Sequence, residues 1–205
     1  MKKIILLFFV FSGQLFSQKV ILKSGDILFQ SLNCGSLCDA INRVTSGYKG
    51  NDFNHIGLVI KEKDSLFVME AAETSVKKTP LALFKSYTTN TIFVGRLKPK
   101  YRKLIPQAIA FSLQQIGVEY DHEYRYNNQK YYCSELIYDA FLFANKKPFF
   151  QLYPMTFKEP NSQDFFKVWE AYYQNLNTTI PEGELGCNPG GISISNKLKI
   201  IGTLD

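Results

Sequence analysis

The chain has 205 residues, 45% of them hydrophobic and 15% aromatic, which fills one sizeable core and excludes a disordered chain. Its formal net charge of +6 includes Lys2 and Lys3. The remaining mild excess favours anionic surfaces such as an envelope polymer or lipid headgroups. The cations are scattered, without a basic stripe interleaved with base-stacking aromatics, so nucleic acid is not an expected partner.

The chain opens on "MKKIILLFFVFSGQLFSQ": two lysines, an apolar run from Ile4 to Phe11, and small residues near Ser12 and Ser17. That layout predicts a secretory signal peptide over residues 1–17, with a single domain over 18–205. The apolar run is too short to span a bilayer, although an uncleaved N-terminal anchor is the alternative. No cysteine precedes Cys34, which argues against a lipid-attached cysteine. The expected location is periplasmic or secreted, with no transmembrane segment in the mature chain.

"GDILFQ" reads as a short strand over 25–30, and "LCDAINRVTS" as a short helix over 37–46 closed by Gly47. Apolar runs at 55–60 and 65–71, joined by the charged turn "KEKD", predict a β-hairpin. "TIFVGRL" is a third strand over 91–97. Helical spacing follows over 101–117, with Pro106 marking a kink or the true start. Further helices are predicted over 133–144 and within "SQDFFKVWEAYYQNL", and a closing strand over 197–204. Strands and helices in separate blocks indicate an α+β domain on an antiparallel sheet.

Four cysteines in an exported chain suggest pairing, and spacing does not assign partners. A bridge from Cys187, in the late loop "GELGCNPGG", to Cys34 or Cys38 would staple that loop to the body. No second Cys pair or nearby His completes a tetrahedral set, so no metal and no cofactor are expected.

Cys133 follows "KYY" and starts a helix whose Leu136, Ile137, Ala140, Phe141 and Ala144 share one face. A cysteine there can be a small buried hydrophobe. Its place at the first turn instead favours a thiolate, through unpaired N–H groups and the helix dipole. Such a thiolate needs a base. His55, in "FNHIGLVI", alternates with Ile56, Leu58 and Ile60 and so points away from the main apolar stripe, with open space beside Gly57. Glu70 ends the neighbouring strand and can orient the ring, as a third triad member does. The structural alternatives are a packing histidine and a solvated strand end. His122, in "EYDHEYRY", reads as an exposed loop residue, with a second base or a substrate contact as the alternatives.

Taken in order, Gly25-Asp26, "NHIGLVI", "MEA", Tyr120-Asp121 and "YYCSEL" resemble the YiiX/YebB-like, or YaeF-like, branch of the NlpC-type papain-like cysteine hydrolases. The resemblance covers roughly residues 20–145 and fades in the C-terminal quarter. It implies a circularly permuted papain-like fold, with an antiparallel β-sheet or partial barrel packed against helices and His before Cys. Cys133 would be nucleophile, His55 base and Glu70 orienting acid. The Cys133 N–H would be an oxyanion donor, and Tyr132, Tyr120, Asp121 and Asp26 would be substrate-side residues. The implied substrate is an amide in or near the cell wall.

Three functions follow as expectations. The first is a thiol hydrolase cleaving amide bonds of a peptide or peptidoglycan fragment. The second is a lipid-directed acyltransferase or thiol esterase like the lecithin retinol acyltransferase-like proteins, with the aromatic loops "EYDHEYRYNNQKYY" and "KKPFFQLYPMTF" gripping an acyl lipid, ordinary loop packing being the alternative. The third is a binding module without activity.

Overall fold

Hydrophobic runs that alternate with turn residues become strands in the computed structural model, which describes residues 20–204. The predicted leader lies outside the described residues. The strands are β1 (Ile27–Gln30), β2 (His55–Glu62), β3 (Ser65–Ala72), β4 (Ser75–Pro80), β5 (Ile92–Leu97), β6 (Tyr153–Pro154), β7 (Leu185–Gly186) and β8 (Leu198–Leu204). The α-helices are α1 (Ser36–Val44), α2 (Leu81–Ser86), α3 (Ile105–Gln114), α4 (Cys133–Asn145), α5 (Lys167–Asn175) and α6 (Pro189–Ser193).

Six strands form one sheet in the order β4-β3-β2-β1-β5-β8, and every neighbouring pair is antiparallel. The hairpin over "KEKD" forms as predicted, with Leu58 opposite Met69 and Glu62 opposite Ser65. Period-two alternation sends its side chains to two cores. Ile56, Leu58, Ile60 and Met69 join Leu136, Ile137 and Phe141 of α4, while Val59 and Val68 join Phe84 of α2 on the other face. Leu136, Ile137 and Phe141 are fully buried, each burial stabilising the fold by about 1.5–3 kcal/mol. The architecture is the expected α+β arrangement of an antiparallel sheet packed against helices.

Gly57 shows why the alternation needs a gap. A Cβ there would come 2.3 Å from Val68 Cγ1 and 3.2 Å from Phe84, so the space beside His55 belongs to those two side chains.

Several elements differ from expectation. The helix expected over 101–117 is a 3-10 segment, Pro99–Leu104, followed by α3, with Pro106 in the first turn of α3. Pro106 therefore marks the true start, where its missing N–H costs nothing. The strand β4 and helix α2 are additional, because "SVKKTP" is polar and lies at the sheet edge. The expected bridge from Cys187 to Cys34 or Cys38 is not formed. Cys34 pairs with Cys38, four residues on across the start of α1, and Cys187 is buried and free. Their Cα atoms are 5.2 Å apart, within the reach of a disulfide.

The C-terminal quarter packs on α1. Phe157, Phe166, Trp169 and Tyr173 form a third cluster with Ala40, Leu37 and Ile41. This aromatic layer sets the far wall of the cleft described next.

Candidate active site

His55 begins β2 and is 5% exposed. Its Nε2 lies 2.6 Å from Glu70 Oε2. Glu70 is fully buried, and its other oxygen accepts the Thr79 hydroxyl at 2.5 Å and the Tyr87 hydroxyl at 3.3 Å. Both carboxylate oxygens are thereby satisfied, which a buried charge requires. The Phe84 ring flanks the imidazole, with centroids 5.6 Å apart. With Nε2 held by Glu70, Nδ1 is the nitrogen free to exchange a proton.

Cys133 opens α4 and is 7% exposed. Tyr132 caps the helix in an extended conformation without a side-chain cap bond, so no capping side chain occupies the first-turn N–H groups. The thiol reaches the Asn54 carbonyl at 3.8 Å, at the point where β2 begins. Asn54 is itself fixed by Leu32, whose N–H it accepts at 2.7 Å. The imidazole has Glu70 as its hydrogen-bond partner and Cys133 as a further neighbour. Burial opposes the imidazolium, but the neighbouring Cys133 thiol and then the hydrogen bond to Glu70 outweigh it and raise the His55 pKa to about 9. A proton on this ring is therefore stabilised between two acidic neighbours.

The thiol opens on a cleft of about 300 Å³. Tyr120, Tyr124, Tyr132, Met155, Phe157 and Trp169 line it with Cys133. None of its lining residues carries a charge. Burial, followed by the neighbouring Tyr124, holds the Tyr120 phenol well above its ordinary pKa, so it stays a hydrogen-bond donor. Cys187 sits beside Cys133 in the same wall. Its N–H donates to the Tyr132 hydroxyl at 3.1 Å and its carbonyl accepts from Ser134 at 2.9 Å. Burial pushes its thiol far up, leaving it neutral and inert.

Of the residues singled out in the sequence, Cys133, His55 and Glu70 converge, and Tyr132 and Tyr120 line the cleft. Asp26 and Asp121 do not line it. Asp26 is 1% exposed and receives Arg96 through Nε and Nη2, each at 2.7 Å, and the Lys23 N–H at 2.8 Å. Asp121 is fully buried and accepts the N–H groups of Glu123 and Arg125, shaping its own loop. Both carboxylates are occupied within the protein. His122 is exposed and rests on Tyr120, with centroids 4.9 Å apart.

Thr79, Tyr87 and Trp169 carried no signal in the sequence, since each reaches the site through packing, whereas Met155 and Phe157 lie in the aromatic loop "KKPFFQLYPMTF" singled out there. Glu135 was also unmarked. It is fully buried, and burial raises its pKa to about 8, while it accepts the Asn127 N–H at 2.8 Å.

The family described as "Permuted papain-like amidase enzyme, YaeF/YiiX, C92 family" matches residues 21–200. Among solved structures, the chain is similar to one titled as the metalloprotein yiiX from Escherichia coli O157:H7. The two share 21% identity with a TM-score of 0.70, over 88% of this chain and 97% of that one. The likeness establishes the shared fold. No curated protein matches the chain. The residues here do not fit a metal role: among those described, no group of three or more His, Cys, Asp or Glu could hold an ion.

Proposed function

The chain belongs to the C92 family of permuted papain-like amidases, and within that cysteine hydrolase family we propose that Cys133, His55 and Glu70 form its catalytic triad, acting on an amide of a peptide or cell-wall fragment. The observation that carries this reading is the 2.6 Å contact from His55 Nε2 to a buried Glu70, on the same ring that neighbours Cys133.

The Cys133 sulfur attacks the substrate carbonyl carbon while His55 holds the thiol proton. Collapse of the tetrahedral adduct passes that proton to the leaving amine and leaves an acyl thioester. Water then adds to the thioester with His55 as base, and Cys133 leaves as the carboxylic acid forms. Glu70 holds the ring and balances the imidazolium charge. The N–H of Cys133 and the protonated Tyr120 phenol are suited to receive the oxyanion.

One observation favours a neutral acyl partner, the lipid-directed reading. The cleft offers no cation to a carboxylate, and an uncompensated buried charge is costly. The Cys34–Cys38 bridge supports export, since disulfides persist in oxidising compartments. Among the described residues, no helix is long and apolar enough to cross a membrane.

Turnover of a neutral acyl amide and of a peptide amide by the wild type, lost in Cys133→Ser, tests the proposal. Equal turnover by Cys133→Ser would sink it.

A further inference from the structure

A second cleft, of about 550 Å³, shares α6 as a wall with the first. Pro189 and Gly191 of that helix line the Cys133 cleft, whereas Ser193 and the following Ile194 line the second. Nothing in the triad chemistry uses this second cleft.

Its electrostatics are one-sided. Residues 96–118 and 188–204 together hold seven Lys and Arg and no Asp or Glu. Four of those cations, Arg96, Lys98, Arg102 and Lys199, line the cleft, and no acidic residue does. Asp26 neutralises Arg96. At the opposite sheet edge Lys77 pairs with Glu73 and Lys78 with Glu62. Among the described residues, Lys98, Arg102 and Lys199 form no ion pair, and all three are exposed. The nearby Tyr101 phenol responds to this field. Its hydrogen bond to Lys100, assisted by Lys197, holds it below its ordinary pKa.

The apolar half of the cleft is equally uneven. Ile194 is 58% exposed on its rim, and Ile200 and Ile201 are only half-buried. A free phosphate or an acidic peptide would use the cations and leave the isoleucines in water. A ligand that joins a phosphate to an alkyl chain would use both. Arg102 offers a planar donor fork and the lysines mobile point charges, a combination suited to phosphate oxygens.

We propose that this cleft binds the phosphate headgroup of an anionic phospholipid, with Lys98, Arg102 and Lys199 on the phosphate and Ile194 in the adjoining acyl layer. Because the two clefts share α6, such binding holds the Cys133 cleft at a membrane surface.

Each lysine or arginine near an anionic surface strengthens binding about fivefold, so replacing three is expected to weaken it about 100-fold. The test is co-sedimentation of the full chain with vesicles of phosphatidylglycerol and phosphatidylcholine, alongside vesicles of phosphatidylcholine alone. Calorimetry with inorganic pyrophosphate forms a further arm, and circular dichroism checks each variant's fold. Wild type is expected to bind the anionic vesicles and not the neutral ones. Lys98→Gln/Arg102→Gln/Lys199→Gln is expected to lose about 100-fold, and Ile194→Ser about tenfold without changing pyrophosphate binding. Lys61→Gln/Lys63→Gln/Lys167→Gln removes the same charge elsewhere and is expected to stay within about twofold. The proposal is overturned by absent vesicle binding, by equal losses in the two triple variants, or by pyrophosphate binding without vesicle binding.

Discussion

His55 and Glu70 lie 15 residues apart in sequence and meet at 2.6 Å on adjacent strands, because the tight turn at Lys63-Asp64, within "KEKD", folds β3 back along β2. The contact also fixes which ring nitrogen is occupied. Nε2 faces the carboxylate, so Nδ1 is left for the Cys133 thiol.

The triad should fail as a unit. His55→Ala is expected to lower kcat/KM by about 10⁵-fold or more, nearly as much as Cys133→Ser. Glu70→Gln is expected to cost less, about 10³–10⁴-fold, since the amide still accepts a hydrogen bond but cannot balance the imidazolium. Steady-state kinetics on one amide substrate, with near-unchanged thermal midpoints for Cys133→Ser, checks the order.

Thr79 is expected to act as a positioning residue through Glu70, whose Oε1 it holds at 2.5 Å. Thr79→Val should lower kcat about 10–100-fold with KM unchanged, and Thr79→Ser should restore it. A KM effect that Thr79→Ser does not rescue would mean that Thr79 acts through packing alone.

The hairpin and the helix start were legible in the sequence because both are local. Alternation in "HIGLVI", the turn "KEKD" and the apolar face of α4 each need only a few neighbouring residues. Thr79 was hidden because "SVKKTP" is a polar edge strand whose place beside β3 depends on the sheet. Trp169 was hidden because it reaches the cleft from a helix far past Cys133 by packing on α1, whereas Met155 and Phe157 belong to the aromatic loop singled out in the sequence. The cysteine pairing was hidden for a third reason. Spacing does not say which thiols meet, and the late Cys187 docks against Tyr132 instead of the Cys34 loop.

The raised His55 pKa sets a pH dependence. In the proposed mechanism the leaving amine takes its proton from the imidazolium, so kcat/KM is expected to fall on the alkaline side near pH 9. Stability moves in the same direction. The folded-state pKa lies above the unfolded value, so its contribution is complete below about pH 6.5 and is lost as pH rises through about 9. Urea midpoints of wild type should fall over that window more than those of His55→Ala. A parallel fall in both would contradict the assignment.

The Cys34–Cys38 bridge closes a short loop, so its removal should be mild. Cys34→Ser/Cys38→Ser is expected to lose at most about 2 kcal/mol in urea unfolding. Its Cys133 alkylation should be unchanged. Non-reducing peptide mapping of active wild type should find Cys133 free, and a bridged Cys133 there would contradict the triad.

The most direct measurement is the rate of iodoacetamide alkylation of Cys133 across pH in wild type, His55→Ala and His122→Ala. Thiolate is the reactive species, and His55 is the partner proposed to stabilise it. Wild type and His122→Ala are expected to retain reactivity at low pH, while His55→Ala loses it. Loss in His122→Ala with retention in His55→Ala would contradict the assignment of His55 as the catalytic base.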